Sequence, residues 1–354
     1  MSPAARTGNL RAVKFHSALT ILFLNLGILA SRAAFLNGQN YTPLADWSHA
    51  NGLNGFTLDH GAEIVLTNRA TRLVFDVDSH DAEVNGVKVR LSFPVAKGAL
   101  ISQLDLDTAI RPLIFPQKPS AKKITTICLD PGHGGKDTGN RVRGFFWHNE
   151  KTYTLALGQE LRDQLKRAGF NVILTRTKDE TVSLADRPAL ANRRGADLFV
   201  SLHFNAFPAD PKSVEGPESY CITPVGAASS NAQGEGADFG ATTANRLENK
   251  SLLLAYQIQK SLVKNLGLED RGVRRARFEV LRGAAMPAVL IESGYMTHPI
   301  EGKRIFDSGY RKQLATAMVK GIMNYQKLTA PPTNVTTNIT SKPSATKVSK
   351  SKND

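Results

Sequence analysis

The chain has 354 residues, with 45 Lys and Arg against 31 Asp and Glu, so its formal charge is +14. With 41% hydrophobic and 21% charged residues, it is neither wholly disordered, nor collagenous, nor a polytopic membrane protein. Two cysteines, Cys128 and Cys221, are too few for a disulfide framework or a four-thiolate zinc site.

At the N-terminus, Arg6, Arg11 and Lys14 precede the apolar run Ala18 to Ala30, and Ser31-Arg32-Ala33 then offers small residues for cleavage. This pattern reads as an export signal over residues 1–33. The run is well short of the roughly 20 apolar residues that a spanning helix needs, and no Cys follows it to carry a lipid. The expectation is an exported protein of the periplasm or cell envelope, with no stable membrane insertion after cleavage.

Residues 40–116 carry short strand-like runs, Glu63 to Leu66, Arg72 to Asp76 and Val87 to Phe93, bounded by Gly, Asn, Asp or Pro. Asn85-Gly86 reads as a hairpin turn, because both residues tolerate positive φ. With six basic and nine acidic residues, this segment is mildly acidic, and it has no cluster of His, Cys or paired carboxylates. It reads as a small β-rich accessory domain. Its turn and the Asp105 to Leu113 stretch resemble the stalk-like N-terminal domain of copper amine oxidases, although nothing in it would bind copper.

A polar link over 117–123 leads into a larger region, 124–328, where apolar strand-like runs alternate with helical ones. Strands are expected at Ile124 to Leu129, Asn171 to Thr175, Leu198 to Phe204, Ser219 to Thr223 and Pro287 to Ile291. Helices are expected at about Glu150 to Ala168, Leu184 to Arg194, Ser251 to Asn265 and Arg311 to Lys327. This alternation predicts an α/β fold: a mostly parallel sheet with helices on both faces. Asn149 and Ser183 suit helix N-caps, and Gly169, Gly195 and Gly267 suit helix ends. Pro188 requires its helix to start late or bend. The Gly, Ala, Ser and Asn-rich stretch from Pro224 to Lys250 reads as a long loop, and residues 329–354 as a disordered basic tail.

In open α/β sheets ligands bind at the carboxyl ends of the strands, and four chemistry-bearing residues fall there or close by. The first strand runs into Asp130-Pro131-Gly132-His133-Gly134-Gly135, and the third ends Ser201-Leu202-His203. Glu150 opens the first helix, and Glu292 ends the last apolar strand, where an unpaired charge would be costly. Two imidazoles and one carboxylate make a three-ligand catalytic zinc site. Zinc lowers the pKa of water toward about 7 and polarises a carbonyl, while a positioned Glu moves the proton. Taken singly, each residue also has a structural explanation. The glycine-rich turn lacks the Lys-Ser/Thr pair of a P-loop, which disfavours phosphate.

The motifs DPGHGGKDTGN (Asp130 to Asn140), SLADR (Ser183 to Arg187), ADLFVSLHFNA (Ala196 to Ala206), DRGVRRARFEVLR (Asp270 to Arg282) and MPAVLIESGYMTHP (Met286 to Pro299) occur in this order. Together with the Glu150 helix start they resemble the zinc-dependent N-acetylmuramoyl-L-alanine amidase family. The resemblance implies Zn2+ held by His133, Glu150 and His203, with Glu292 as the catalytic glutamate. It also implies hydrolysis of the peptidoglycan amide between N-acetylmuramic acid and L-alanine. His148 and Glu160 are rivals to Glu150, and Asn205 is a substrate contact or a structural cap. Some relatives carry an occluding helix where this chain has residues 224–250, and an activator protein is left open.

Two other functions compete. One is a non-catalytic peptidoglycan-binding scaffold or regulator with an occluded site, and the other is a different zinc hydrolase of cell-wall substrates. The basic cluster Arg271, Arg274, Arg275, Arg277 and Arg282 invites nucleic acid, but no recognition motif accompanies it and the export signal opposes it. Residues 117–327 hold 31 basic and 21 acidic residues. The charge therefore sits largely on the catalytic region and on a tail with Lys342, Lys347, Lys350 and Lys352, where it suits retention on an anionic wall.

Overall fold

The computed structural model describes residues 33–36, 38–59, 62–115, 123–230 and 240–330. The expected export signal and basic tail lie almost wholly outside the described residues, as do most of the 117–123 link and the 231–239 part of the glycine-rich stretch.

The N-terminal region consists of β1 (Ala34–Leu36), β2 (Gln39–Pro43), α1 (Leu44–Ala50), β3 (Gly55–Asp59), β4 (Glu63–Thr67), β5 (Arg72–Asp76), β6 (Asp81–Val84), β7 (Val87–Arg90) and β8 (Leu100–Ser102), then short helical turns α2 (Gln103–Asp105) and α3 (Arg111–Ile114) around a π turn. Strands β3 to β7 form an antiparallel meander. The turn between β6 and β7 is the expected hairpin: Asn85 and Gly86 take φ of 50° and 76°, the left-handed pair that matches strand twist.

The second region runs β9 (Thr126–Pro131), β10 (Arg141–Arg143), β11 (Trp147–Asn149), α4 (Glu150–Arg167), β12 (Asn171–Leu174), α5 (Asp186–Arg193), β13 (Leu198–Asn205), β14 (Glu218–Cys221), α6 (Glu248–Leu266), β15 (Val273–Arg275), α7 (Glu279–Arg282), β16 (Ala288–Tyr295), α8 (Glu301–Phe306) and α9 (Ser308–Thr329). The expected α/β fold is present. Strands β12, β9, β13 and β16 are parallel neighbours, β14 is antiparallel to β16, and β15 is parallel to β14. β15 then pairs with β7 at Val273 and Val89, so the meander continues the same eleven-stranded sheet. Tyr256 of α6 adds a hydroxyl donated to the Val84 carbonyl at 2.8 Å.

Alternation along the strands divides the core into two layers. Ile127, Leu129, Leu198, Val200, Leu202, Val289 and Ile291 face the layer that α4, α6 and α9 cover. The intervening residues Cys128, Phe199 and Leu290 face a smaller layer with Ala191 of α5 and Val280 and Leu281 of α7. Burying each large aliphatic side chain contributes about 1.5–3 kcal/mol. His203 and Glu292 lie four and two residues beyond Phe199 and Leu290, so both project on the smaller-layer side, where the helical cover is thin. Cys128 and Cys221 are buried free thiols, and burial pushes the Cys128 thiol up to about 12, which keeps it protonated and inert.

Helix α5 starts two residues later than expected. Pro188 therefore lies in its first turn, where backbone N–H groups have no helical acceptor to lose. Ser183 begins that turn, its hydroxyl oxygen accepting from the Asp186 N–H at 3.1 Å. Asn149 immediately precedes α4 but makes no side-chain cap. Helix α6 starts earlier than Ser251, because Thr242 and Asn245 form a capping box on a 3-10 turn, Thr243–Leu247, that feeds straight into Glu248. The glycine-rich stretch is therefore helical at its C-terminal end.

Candidate active site

At the end of β9 the backbone is clamped from beneath. Asp130 is fully buried and accepts from Thr175 Oγ1 at 2.6 Å, Ser201 Oγ at 2.7 Å and Arg187 Nη1 at 2.7 Å. Arg187 also donates to the carbonyls of Pro131 and His133 at 3.1 and 3.0 Å. Arg176 donates to those of Pro131 and Gly132 at 2.8 and 2.9 Å. Two buried guanidiniums thus fix the peptide groups before His133, which itself adopts φ of 61°, an uncommon conformation for a residue with a side chain. The Asp130–Arg187 pair is 0% and 3% exposed, and removing one partner of such a pair costs about 3–5 kcal/mol. Arg187→Met is expected to lose stability of that order, read as a lowered urea midpoint. A midpoint within error of the wild type would show that the clamp is dispensable.

Three donor groups meet above this clamp. Glu150 Oε1 lies 3.1 Å from His133 Nε2 and 3.0 Å from His203 Nδ1, and the two imidazole nitrogens are 3.1 Å apart. Among the described residues this is the cluster of His, Cys, Asp or Glu whose ligand atoms converge closely enough for a metal ion, all within 4.8 Å. Glu150 is 1% exposed and also accepts from the backbone N–H groups of Phe204 and Asn140 at 3.0 and 2.9 Å. As the first residue of an 18-residue helix, it meets the positive end of the helix dipole. Burial alone would raise its pKa, but the hydrogen bonds and charges of both imidazoles hold it far below the ordinary carboxylate range. For His133, burial pulls downward, yet Glu150 and Asp137 raise it overall. Gly132 leaves the room this packing needs, since a Cβ there would lie 2.2 Å from Cε1 of the His203 ring.

Glu292 is joined to this cluster through the sheet. It pairs in register with His203 across β13 and β16, and both line one cavity of about 430 Å³ with His133 and Glu150. Leu184, Phe278, Val280 and Leu290 supply its apolar wall. Oε2 of Glu292 is buried without a hydrogen-bond partner. Burial, reinforced by the charges of Glu150 and Glu218, pushes its carboxyl well above the ordinary range.

All four expected site residues therefore share one cavity, whereas the rivals do not join the cluster. His148 stacks on Phe306 with ring centroids 3.9 Å apart and hydrogen-bonds the Tyr153 hydroxyl. Glu160 accepts from Gln164 one turn further along α4, and Asn205 Oδ1 accepts from the Ala206 N–H at 2.8 Å, a local cap.

Asp137 joins the site as a residue not expected from the sequence. Its Oδ2 lies 2.8 Å from His133 Nδ1, so it orients the imidazole whose other nitrogen faces Glu150. The four-residue spacing to His133 inside DPGHGGKD was the available signal. Carboxylates placed behind a metal-ligating His typically contribute 10–100-fold in metal affinity. Asp137→Asn is expected to lower affinity within that range, measured by competition with a chromogenic chelator. An unchanged affinity would remove this role.

The cavity holds a His, Glu and His donor cluster that could hold a metal ion, beside a further buried carboxylate, within an α/β fold. Residues 127–324 match the N-acetylmuramoyl-L-alanine amidase family, and with more than half of its length in that match the chain belongs to this family of peptidoglycan amidases. It is 32% identical over 233 residues to N-acetylmuramoyl-L-alanine amidase AmiA of Escherichia coli (strain K12), covering 59% of this chain and 79% of that protein. It is 34% identical over 200 residues to the uncharacterized protein YqiI of Bacillus subtilis (strain 168), covering 56% and 84%. Among solved structures, the N-acetylmuramoyl-L-alanine amidase from Clostridium difficile 630 is similar at 32% identity and a TM-score of 0.49, covering 58% of this chain and 98% of that one.

Proposed function

We propose that the chain is an exported, zinc-dependent enzyme that hydrolyses the amide between the lactyl group of N-acetylmuramic acid and the L-alanine of the stem peptide. The observation that carries this reading is the convergence of His133, Glu150 and His203 in the cavity that also holds the unpartnered Oε2 of Glu292. Two imidazoles and a carboxylate suit zinc in charge and donor type, and the three donor atoms are already close together. Bound there, zinc supplies positive charge that polarises the scissile carbonyl and lowers the pKa of water.

The remaining work falls to side chains of this chain. His133, Glu150 and His203 would hold the ion, with Glu150 fixed by two backbone N–H groups and His133 oriented by Asp137. Positive charge at these ligands would oppose the upward push on Glu292 and so favour the carboxylate form that a general base needs. Glu292 accepts the proton of the attacking water at a carboxylate oxygen and delivers it to the leaving alanine nitrogen. Leu184, Phe278 and Val280 limit access of bulk water to the reacting groups. The β-rich region at 40–116 acts as an accessory module of the same chain. Among the described residues no helix is long and apolar enough to cross a membrane, and export rests on the N-terminal pattern.

Digestion of purified sacculi tests the reading. Mass analysis is expected to find free stem peptides that begin with an unblocked L-alanine, leaving glycan strands intact. Products cut within the glycan, or deacetylated sugars with no released peptide, would assign the site to another hydrolase.

A further inference from the structure

Strands β10 and β11 form a two-stranded hairpin outside the main sheet. Its root is tied to the metal-ligand cluster. Glu150 donates its N–H to the Asn140 carbonyl at 2.9 Å while accepting from the Asn140 N–H, and His148 stacks flat on Phe306. Its outer end carries three large aromatic side chains in a row: Phe145 is 100% exposed, Phe146 64% and Trp147 46%. Isolated exposed apolar residues are ordinary, but a contiguous group on a rooted element marks a contact surface. The guanidinium carbons of Arg141 and Arg143 lie 4.4 and 5.2 Å from the Trp147 ring centroid, a cation–π arrangement that holds the indole in place.

We propose that this hairpin is a stacking platform for the glycan strand of peptidoglycan, a role that rests on the amidase reading above. Asn140 and Glu150, the residues on either side of the hairpin, both line the catalytic cavity, so the hairpin rises from the cavity's rim. The scissile bond joins a sugar to a peptide, and with its carbonyl in the cavity the two chains leave in different directions. A pyranose offers a flat face of C–H groups to an indole, and its hydroxyl and acetamido oxygens accept from guanidinium N–H groups. Trp147, with the guanidiniums of Arg141 and Arg143 near its ring, brings an aromatic surface and N–H donors together on one hairpin. Phe145 and Phe146 extend the apolar part toward the next sugar. Because the hairpin is rooted at both ends, little ordering is lost on contact.

The test uses the full chain with Trp147→Ala and, separately, Phe145→Ser. Both are exposed positions, and unchanged thermal unfolding verifies the fold. In the Glu292→Gln background, binding to soluble glycan strands stripped of stem peptides is titrated. Trp147→Ala is expected to weaken it on the order of tenfold, the scale of one aromatic stacking contact. With Glu292 intact, the same variant is expected to raise KM on sacculi by a similar factor. Glycan binding unaffected by both variants would overturn the platform. So would wild-type binding to phosphatidylglycerol and phosphatidylethanolamine vesicles that Trp147→Ala abolishes, with no glycan binding, since the hairpin would then be a membrane anchor. If the wild type cleaves no muramoyl amide, the amidase reading falls, and the glycan titration still decides the platform by itself.

Discussion

Glu292→Gln is expected to lower the rate of muramoyl-alanine cleavage by about 10²–10⁴-fold, the usual contribution of a positioned general base, with zinc content unchanged. Gln keeps the volume and polarity of the side chain but has no site that takes a proton and passes it on. The position favours a clean result. Glu292 lies within the buried strand β16, in register with His203, and its Oε2 has no hydrogen-bond partner to lose. Substitution removes an ionisable carboxyl that burial and the charges of Glu150 and Glu218 disfavour in its charged form, so thermal stability of the metal-free protein is expected to hold or increase. Zinc analysis, denaturation and turnover on sacculi read the three effects separately. Turnover within a factor of a few of wild type would move the proton-transfer role to another group.

Removal of a ligand should act on binding before chemistry. His203→Ala and His133→Ala are each expected to abolish zinc retention through gel filtration and to reduce activity to background. They should also remove the rise in melting temperature that zinc gives the stripped wild type, because an ion that binds only the folded state stabilises it by mass action. Glu150→Ala is a less specific probe. It removes a ligand but also leaves the N–H groups of Phe204 and Asn140 without their acceptor, at about 1–3 kcal/mol for each buried group. The histidine variants separate ligation from folding, since His203 has 15% of its side chain exposed and His133 21%. Full activity in chelator-stripped wild type would sink the zinc assignment whatever the variants do.

The α/β character could be read from the sequence because strand alternation and helix periodicity are local patterns. His133, His203 and Glu292 stood out because each follows an apolar run, and Glu150 because it opens a helix. What held them was not local. Asp130 and Arg187 appear within two of the motifs, yet their pairing depends on α5 folding back beneath the β9 turn, which spacing along the chain does not specify. The antiparallel direction of β14 and the pairing of Val89 with Val273 likewise depend on which edges meet in space. Phe145, Phe146 and Trp147 appeared in the sequence only as neighbours of a candidate ligand, because a stretch of aromatic residues suggests burial unless exposure is known.

The pairing of β7 with β15 has a consequence for how the protein can be divided. β15 is three residues long, and with β7 beside it neither strand of that junction offers an open row of backbone donors and acceptors. A fragment starting at the amidase region would leave β15 as an edge strand and uncover Val273 and the α6 surface around Tyr256, the kind of border that templates strand addition between molecules. The meander therefore covers an edge of the amidase sheet that would otherwise be open.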